Sequence, residues 1–253
     1  MKRSIEVLFS PAEYSALRRE DLRGTVCVVF DVLRATTSMM TALDAGAESI
    51  FPVREILMAL ELKKGMPDAL LAGEREGLRI GADLTGGVEF DLGNSPREFT
   101  PSRVQGRRII MTTTNGTRAL QSCVGADAIW IGSFLNLRYL SGELLKQPAD
   151  RWLLVCAGTL EEASMEDTLG AGALAELLVQ GSPDLRIADS VQIAIETYRK
   201  HSDDLPGAMK LARNGRRLLS IPELAGDIPV CLQRDMLRFA AKLGTDGRVT
   251  RVG

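Results

Sequence analysis

Histidine is nearly absent. The 253 residues contain one, His201, in "YRKHSDD". That excludes histidine-rich metal sites and makes a Ser-His-Asp triad a poor candidate. His201 itself reads as a solvated residue at a helix end. Cysteine is scarce and scattered. Cys27, Cys123, Cys156 and Cys231 include no C-x-x-C pair, so they read as reduced, mostly buried thiols of a cytoplasmic protein. Aromatics are few, and the net charge is −2 with no basic tract. Nucleic acid is therefore not an expected partner, because binding a phosphate backbone needs clustered Lys and Arg. No apolar run reaches membrane-spanning length. The N-terminal "MKRSIEVLFSPAEY" lacks the apolar region of a signal peptide, which again points to the cytoplasm rather than a membrane. There is no G-x-x-x-x-G-K-[ST], no G-x-S-x-G and no H-E-x-x-H. The commonest NTPase, α/β-hydrolase and zinc-protease readings fall away with them.

What the chain has is apolar material in a regular order. Hydrophobic residues make up 45% of it, enough for a sizeable core in one large domain or two intimate lobes. No linker, repeat or low-complexity segment marks an internal boundary, so residues 1–253 are taken as one unit. "SIEVLF", "TVCVVF", "ESIFPV", "DALLAG", "RIIMTT", "AIWIG" and "WLLVCAG" read as strands. "PAEYSALRRE", "TSMMTALDAG", "EILMALELKKG", "GTRALQSCV", "NLRYLSGELLKQ" and "DTLGAGALAELLVQ" alternate with them as helices. After about residue 184, "DLRIADSVQIAIETYRKH", "LPGAMKLARNGRRLLS" and "VCLQRDMLRFAAKLG" read as helices without intervening strands. The expected fold is a layered α/β/α body with a mixed, largely parallel sheet and a helix-rich C-terminal part.

Ligands of such sheets bind beyond the carboxyl ends of strands, and unusual polar stretches fall there. In "FDVLRATTS", Asp31 leaves an apolar strand and Arg34, Thr36 and Thr37 open the next helix. A carboxylate so placed can bind a metal or act as a nucleophile, and the arginine can hold a phosphate or sulfonate. The threonines also suit helix caps. In "LAGEREG", Glu74 and Arg75 follow a short apolar run, a pattern that alone reads as a solvated turn. In "EFDLGNSPREF", Asn94 or Ser95 caps a helix that starts at Pro96, and Asp91 is either a ligand or a turn residue. In "MTTTNGTRAL", Thr113, Thr114, Asn115, Gly116 and Thr117 sit at a helix start. Unpaired N–H groups, the helix dipole and added hydroxyls there suit an anion. Four threonines around one Asn-Gly exceed what a cap needs.

A further stretch, "CAGTLEEASMEDTLGAGALAEL", places Glu166 and Asp167 at a helix start. Its "GAGALA" matches a dinucleotide fingerprint only formally, since an acidic loop separates it from the strand. Small residues for close helix packing explain it better. Oxygen ligands without histidine or paired cysteine suit Mg²⁺. Asp31, Asp91, Glu166 and Asp167 are the candidate ligands, and Mg²⁺ beside an anion cradle suits phosphoryl chemistry.

"VVFDVLRATTSMMTAL", "GERE" with "FDLGNSPREF", "MTTTNGTRAL", "CAGT" with "MEDTLGAG", and "NGRRLLSIPELAGDIPVCLQRD" together resemble the 2-phosphosulfolactate phosphatase family. The resemblance runs in order from about Ile5 to Asp235. It implies an α/β fold of the family's own. It also implies a Mg²⁺-dependent hydrolysis of (R)-2-phospho-3-sulfolactate to 3-sulfolactate and phosphate, a step of coenzyme M biosynthesis. Asp31, Arg34 and Glu74 would be catalytic. Thr36, Thr37, Arg75, Asn94, Ser95 and the 113–117 loop would bind substrate. Arg34, Arg75 and Arg118, with Arg216 and Arg217 from the C-terminal part, are the candidates to offset the charges of a small phosphorylated, sulfonated acid. The stretch "GLRIGADLTGGVE" is longer than the link expected between the family's motifs and could line the pocket. A haloacid-dehalogenase-type phosphatase is disfavoured, because Leu33 stands where that class wants a second Asp. Other open readings are a phosphatase for another phosphorylated hydroxy acid and an anion-binding protein without turnover. A homo-oligomer is among the expected assemblies.

Overall fold

The computed structural model describes residues 3–253. Its strands are β1 (Ser4–Leu8), β2 (Thr25–Phe30), β3 (Ser49–Pro52), β4 (Leu70–Arg75), β5 (Leu78–Arg79), β6 (Arg108–Thr112), β7 (Ala128–Gly132), β8 (Arg151–Cys156), β9 (Arg186–Ile187), β10 (Ala240–Leu243) and β11 (Val249–Val252). The helices that precede the last long crossover are α1 (Pro11–Ala16), α2 (Ala35–Asp44), α3 (Ile56–Gly65), α4 (Ala82–Thr85), α5 (Pro101–Val104), α6 (Gly116–Ser122) and α7 (Leu137–Lys146). They are followed by α8 (Met165–Gly181), α9 (Asp189–His201), α10 (Leu205–Met209), α11 (Arg213–Leu219), α12 (Pro222–Ala225) and α13 (Asp227–Cys231). Every apolar run read as a strand is one. His201 ends α9, as its charged surroundings suggest.

The sheet order is β5-β4-β6-β3-β11-β10-β7-β2-β8-β1-β9. It contains two parallel blocks, β4-β6-β3 and β7-β2-β8-β1-β9. The C-terminus corrects the sequence reading here. "VCLQRDMLRFAAKLG" is not a helix: after α13 the chain extends, and Ala240–Leu243 is β10. The β10–β11 hairpin sits between the two blocks and pairs antiparallel on both sides. Its turn carries the usual chemistry, with Asp246 accepting from the Arg248 N–H and Gly247 at φ 78°. That Asp-Gly signal lies in the sequence. The helical reading missed it because Phe239, Ala240, Ala241, Leu243 and Val249 gain their burial only from strands far away in the chain. A second short strand, β9, also interrupts the region read as all helix.

The three antiparallel steps through the hairpin make the two blocks run in opposite senses within the sheet. Twist of roughly 20–25° per strand step accumulates between β2 and β6, so their directions cross rather than oppose. Their carboxyl ends can then meet at one corner. The packing agrees. Val29 and Ile131 of the larger block share one core with Ile109 and Met111 of the smaller block and with Met39, Met40 and Leu120 of α2 and α6. The opposite face of the larger block, with Val28, Phe30, Trp130, Trp152 and Leu154, packs on α7, α8 and α9. Strand β2 is buried along its whole length, which is why it reads as a continuous apolar run rather than an alternation.

The "GAGALA" segment proves to be a packing device. A Cβ on Gly172 would lie 2.1 Å from the Ala194 carbonyl oxygen of α9. Gly172→Ala should force α8 and α9 apart and lower unfolding free energy by about 1–3 kcal/mol, as overpacking does. Urea denaturation checks this. An unchanged midpoint would mean the helices separate freely.

Candidate active site

The carboxyl ends of β2, β4, β6 and β8, capped by α11, enclose a cavity of ≈ 400 Å³. Asp31, Arg34, Glu74, Arg75, Asn94, Thr114 and Asn115 line it, as the motifs suggested. Thr159, Arg213, Asn214, Arg217 and Leu218 complete the wall. The quoted motifs contain Thr159, Asn214 and Leu218 without giving them a role, and Arg213 lies outside them. Arg216 and Arg217 are candidates to offset substrate charge, but nothing local says which arginine of α11 meets the cavity.

Asp31 lies where two helices begin. Its Oδ1 accepts the Ala35 N–H of α2 at 3.1 Å, and its carboxylate also accepts the Gly116 N–H of α6. Glu74 is held similarly. Its Oε1 accepts the Thr114 N–H at 2.8 Å and its Oε2 the Gly77 N–H at 2.8 Å. The N–H groups of the "TTTNGT" turn, expected to cradle a substrate anion, thus meet the protein's own carboxylates first. Thr113 and Thr117 bond reciprocally to one another's backbone, are buried and do not line the cavity. The free hydroxyl in this turn is the exposed Thr114.

Thr36 and Thr37 lie inside α2 rather than at its cap, which is Arg34. Both are fully buried, tied to the Asp31 and Val32 carbonyls, and absent from the cavity wall. Their hydroxyls shape the loop that carries Asp31. Ser95 also lies off the wall and donates to Asp227 Oδ1 at 2.6 Å. The turn after it is a single 3₁₀ turn, Pro96–Glu98, rather than a helix. Asn94 is buried against the cavity, and its Oδ1 has no hydrogen-bond partner. The stretch Leu78–Glu89, expected to border the pocket, leaves the wall after Gly77. Arg118 pairs with Glu161 away from the cavity.

Arg34 is 3% exposed and is fixed by residues from distant segments. Its Nη1 donates to Asp227 Oδ2 at 2.7 Å and its Nη2 to the Gly77 carbonyl at 2.6 Å. Asp227 is fully buried and also accepts from Ser95 and Arg97. It joins three segments around the site, and sequence reasoning did not single it out. Its partner Arg34 is 193 positions away, so no local signal links the two.

The metal candidates separate into two sets. Asp91 is exposed and accepts the Leu71 N–H beside the middle of β4, away from the cavity. Asp167 has both oxygens occupied: Oδ1 by the Val32 N–H, Oδ2 by the Gly158 N–H and the Ser164 hydroxyl. Glu166 is buried behind Asn214, which donates to its Oε1 at 2.5 Å, and its Oε2 has no partner. It faces an adjoining cavity of ≈ 220 Å³. Among the described residues, no group of three or more Asp, Glu, His or Cys side chains is arranged to hold a metal ion. Mg²⁺ ordinarily takes one or two protein carboxylates and completes its shell with water and substrate phosphate. Asp31 and the unpartnered oxygen of Glu166 fit that smaller demand.

A family model for 2-phosphosulpholactate phosphatase matches residues 12–245. The chain belongs to this family. It is 37% identical over 228 residues to a probable 2-phosphosulfolactate phosphatase of Symbiobacterium thermophilum, covering 89% of this chain and 90% of that one. A protein of the same description in Picosynechococcus sp. is 38% identical over 212 residues, 83% and 84% of the two chains. One in Clostridium acetobutylicum is 33% identical over 234 residues, 92% and 95% of the two chains. The match extends through α11 and the Asp227 segment, so the walls of the cavity lie within the family's shared length.

In this family member burial raises three of the carboxyls. Burial pushes the Asp31 pKa up to about 7, with Glu74 and Glu166 adding negative charge nearby, against the pull of the Ala35 and Gly116 N–H groups. Glu166 and Asp167 are raised by burial too, and Asp167 further by Glu166 and Asp31. A carboxyl raised in the folded state binds more protons there than in the unfolded chain. Its contribution to stability is complete at acid pH and is lost as pH rises through the folded value, here about 7 for Asp31. Chelator-treated wild type should therefore lose melting temperature relative to Asp31→Asn between about pH 5 and about pH 8. Calorimetry across that range checks it. Parallel profiles would mean that Asp31 titrates in its ordinary range.

Proposed function

We propose that the protein hydrolyses (R)-2-phospho-3-sulfolactate to 3-sulfolactate and phosphate, a reaction of coenzyme M-type biosynthesis. The observation that carries this reading is a buried Asp31 carboxyl in a small cavity lined by Arg34, Arg75, Arg213 and Arg217. One wall offers proton-accepting oxygens, and the others offer cations for an anionic ester. Family membership and the relatives' descriptions support the same substrate. The water oxygen forms the new bond to phosphorus. The ester bond breaks with its electron pair on the hydroxy-acid oxygen, which ends protonated. Asp31 would take the proton from the attacking water, and the leaving oxygen on the opposite side of phosphorus would take its proton from solvent. Glu74 ties the Thr114 and Gly77 N–H groups together and so fixes two of the loops that line the cavity. Arg34, rigid through Asp227, offsets the phosphoryl charge. Mg²⁺ would be held by the unpartnered oxygen of Glu166, with water and the substrate phosphate completing its shell, and it would supply further charge neutralisation at the phosphoryl oxygens.

Phosphate release from 2-phospho-3-sulfolactate and other phosphorylated hydroxy acids, with Mg²⁺ and with EDTA, tests this reading. Turnover of the sulfonated ester that EDTA abolishes is the expected result. Full turnover in chelated protein would remove the metal from the proposal. Saturable binding without phosphate release would favour an anion-binding protein.

A further inference from the structure

The four arginines of the cavity are not equivalent. Arg34 is ion-paired with Asp227 and Arg213 with Glu162. Among the described residues, Arg75 and Arg217 have no carboxylate within 4.0 Å. Arg75 nonetheless distributes its Nη donors over the Glu74, Thr112 and Arg54 carbonyls and the Thr112 hydroxyl. Among the described residues, the Arg217 guanidinium makes a single hydrogen bond, from Nη2 to the Glu76 carbonyl. A guanidinium has five N–H donors, so Arg217 is the cavity arginine with both charge and donors to spare. It stands on α11, a different wall from Asp31. A phosphate ester whose phosphorus lies against Asp31 must direct its remaining acid groups away from that wall. We infer that Arg217 is a specificity-determining residue, which binds the remote sulfonate of the substrate rather than its carboxylate. This rests on the phosphatase reading of the cavity. It adds which side chain distinguishes this ester from a phosphorylated hydroxy acid without the sulfonate.

Its neighbour Arg216 supplies an internal control. It carries the same charge on the same helix, but donates to the Leu211 carbonyl and lines the adjoining cavity instead. Both arginines are exposed, so neither substitution disturbs the core. Arg217→Gln and Arg216→Gln are compared with wild type on 2-phospho-3-sulfolactate and on 2-phospholactate, which lacks the sulfonate. Arg217→Gln should raise KM for the sulfonated ester about tenfold or more, the loss expected for one charged hydrogen bond, with kcat little changed. Its kinetics on phospholactate, and those of Arg216→Gln on both esters, should match wild type. An equal KM rise on both esters, or none on either, overturns the assignment. Calorimetric titration with 3-sulfolactate decides the matter independently of turnover. If wild type hydrolyses neither ester, the phosphatase reading falls. Weakened 3-sulfolactate binding in Arg217→Gln alone still supports the assignment. Equal affinity in all three proteins, or no binding to wild type, overturns it.

Discussion

Asp31→Asn should lower kcat/KM for ester hydrolysis by at least about a thousandfold, or ~4 kcal/mol of transition-state stabilisation, with the chain still folded. The fold is preserved because the substitution keeps shape and volume at the end of a fully buried strand. The amide oxygen can still accept the Ala35 N–H. The other side of the group, an NH₂, then faces the Gly116 N–H and loses that bond, at about 1–3 kcal/mol. The function is lost because an amide neither takes nor gives the proton that hydrolysis moves. Circular dichroism and a melting curve verify folding, and the phosphate-release assay gives the rate. More than about a tenth of wild-type rate, under ~1.4 kcal/mol, would remove Asp31 from the centre of the reaction.

Gly116→Ala should cut kcat/KM by about a hundredfold. In most helices this change is favourable, by about 1 kcal/mol. Here a Cβ would stand 2.6 Å from Asp31 Oδ2 and 2.8 Å from the Ala35 Cβ. Neither neighbour can yield easily: Asp31 is bound to two helix starts, and Ala35 is the first residue of α2. The glycine serves the close approach of one loop to another, and its φ is not in the left-handed region. The substitution must push Asp31 or separate α2 from α6, at about 1–3 kcal/mol of stability. Thr113→Val removes only a bond to the Thr117 backbone and should cost activity far less. If Gly116→Ala turns over like wild type, Asp31 is not held where the structure puts it.

The residues of the site differed in how readily the sequence revealed them. Asp31, Asn94 and Thr114 were candidates because each stands near the end of an apolar stretch and before a turn or helix, a local pattern, whereas Glu74 read locally as a solvated turn and became a candidate only with the family motifs. The role of the "TTTNGT" turn was not legible. Its donors point at carboxylates on β2 and β4, and only the folded chain brings those strands to β6. Asp227 and Arg213 left no local trace either, and Arg216 and Arg217 could not be told apart, since an acid or a charged helix reads alike whether it meets solvent or a cavity.

The sequence by itself determined the α/β class, the seven long strands and most of the helices, because burial of a continuous apolar run or an amphipathic face is a property of neighbouring residues. It determined the family as well, through motifs spread along nearly the whole chain. Tertiary structure alone decided that a C-terminal hairpin joins two parallel blocks of opposite sense. It alone decided that Asp91, Asp167, Thr36 and Thr37 serve the backbone, and that Arg34 is locked to Asp227. The physical reason is common to these cases. A hydrogen bond or ion pair needs two partners within about 3 Å; those of Asp91, Asp167 and Arg34 lie far along the chain, and those of Thr36 and Thr37, five residues back, depend on the path of the loop after β2.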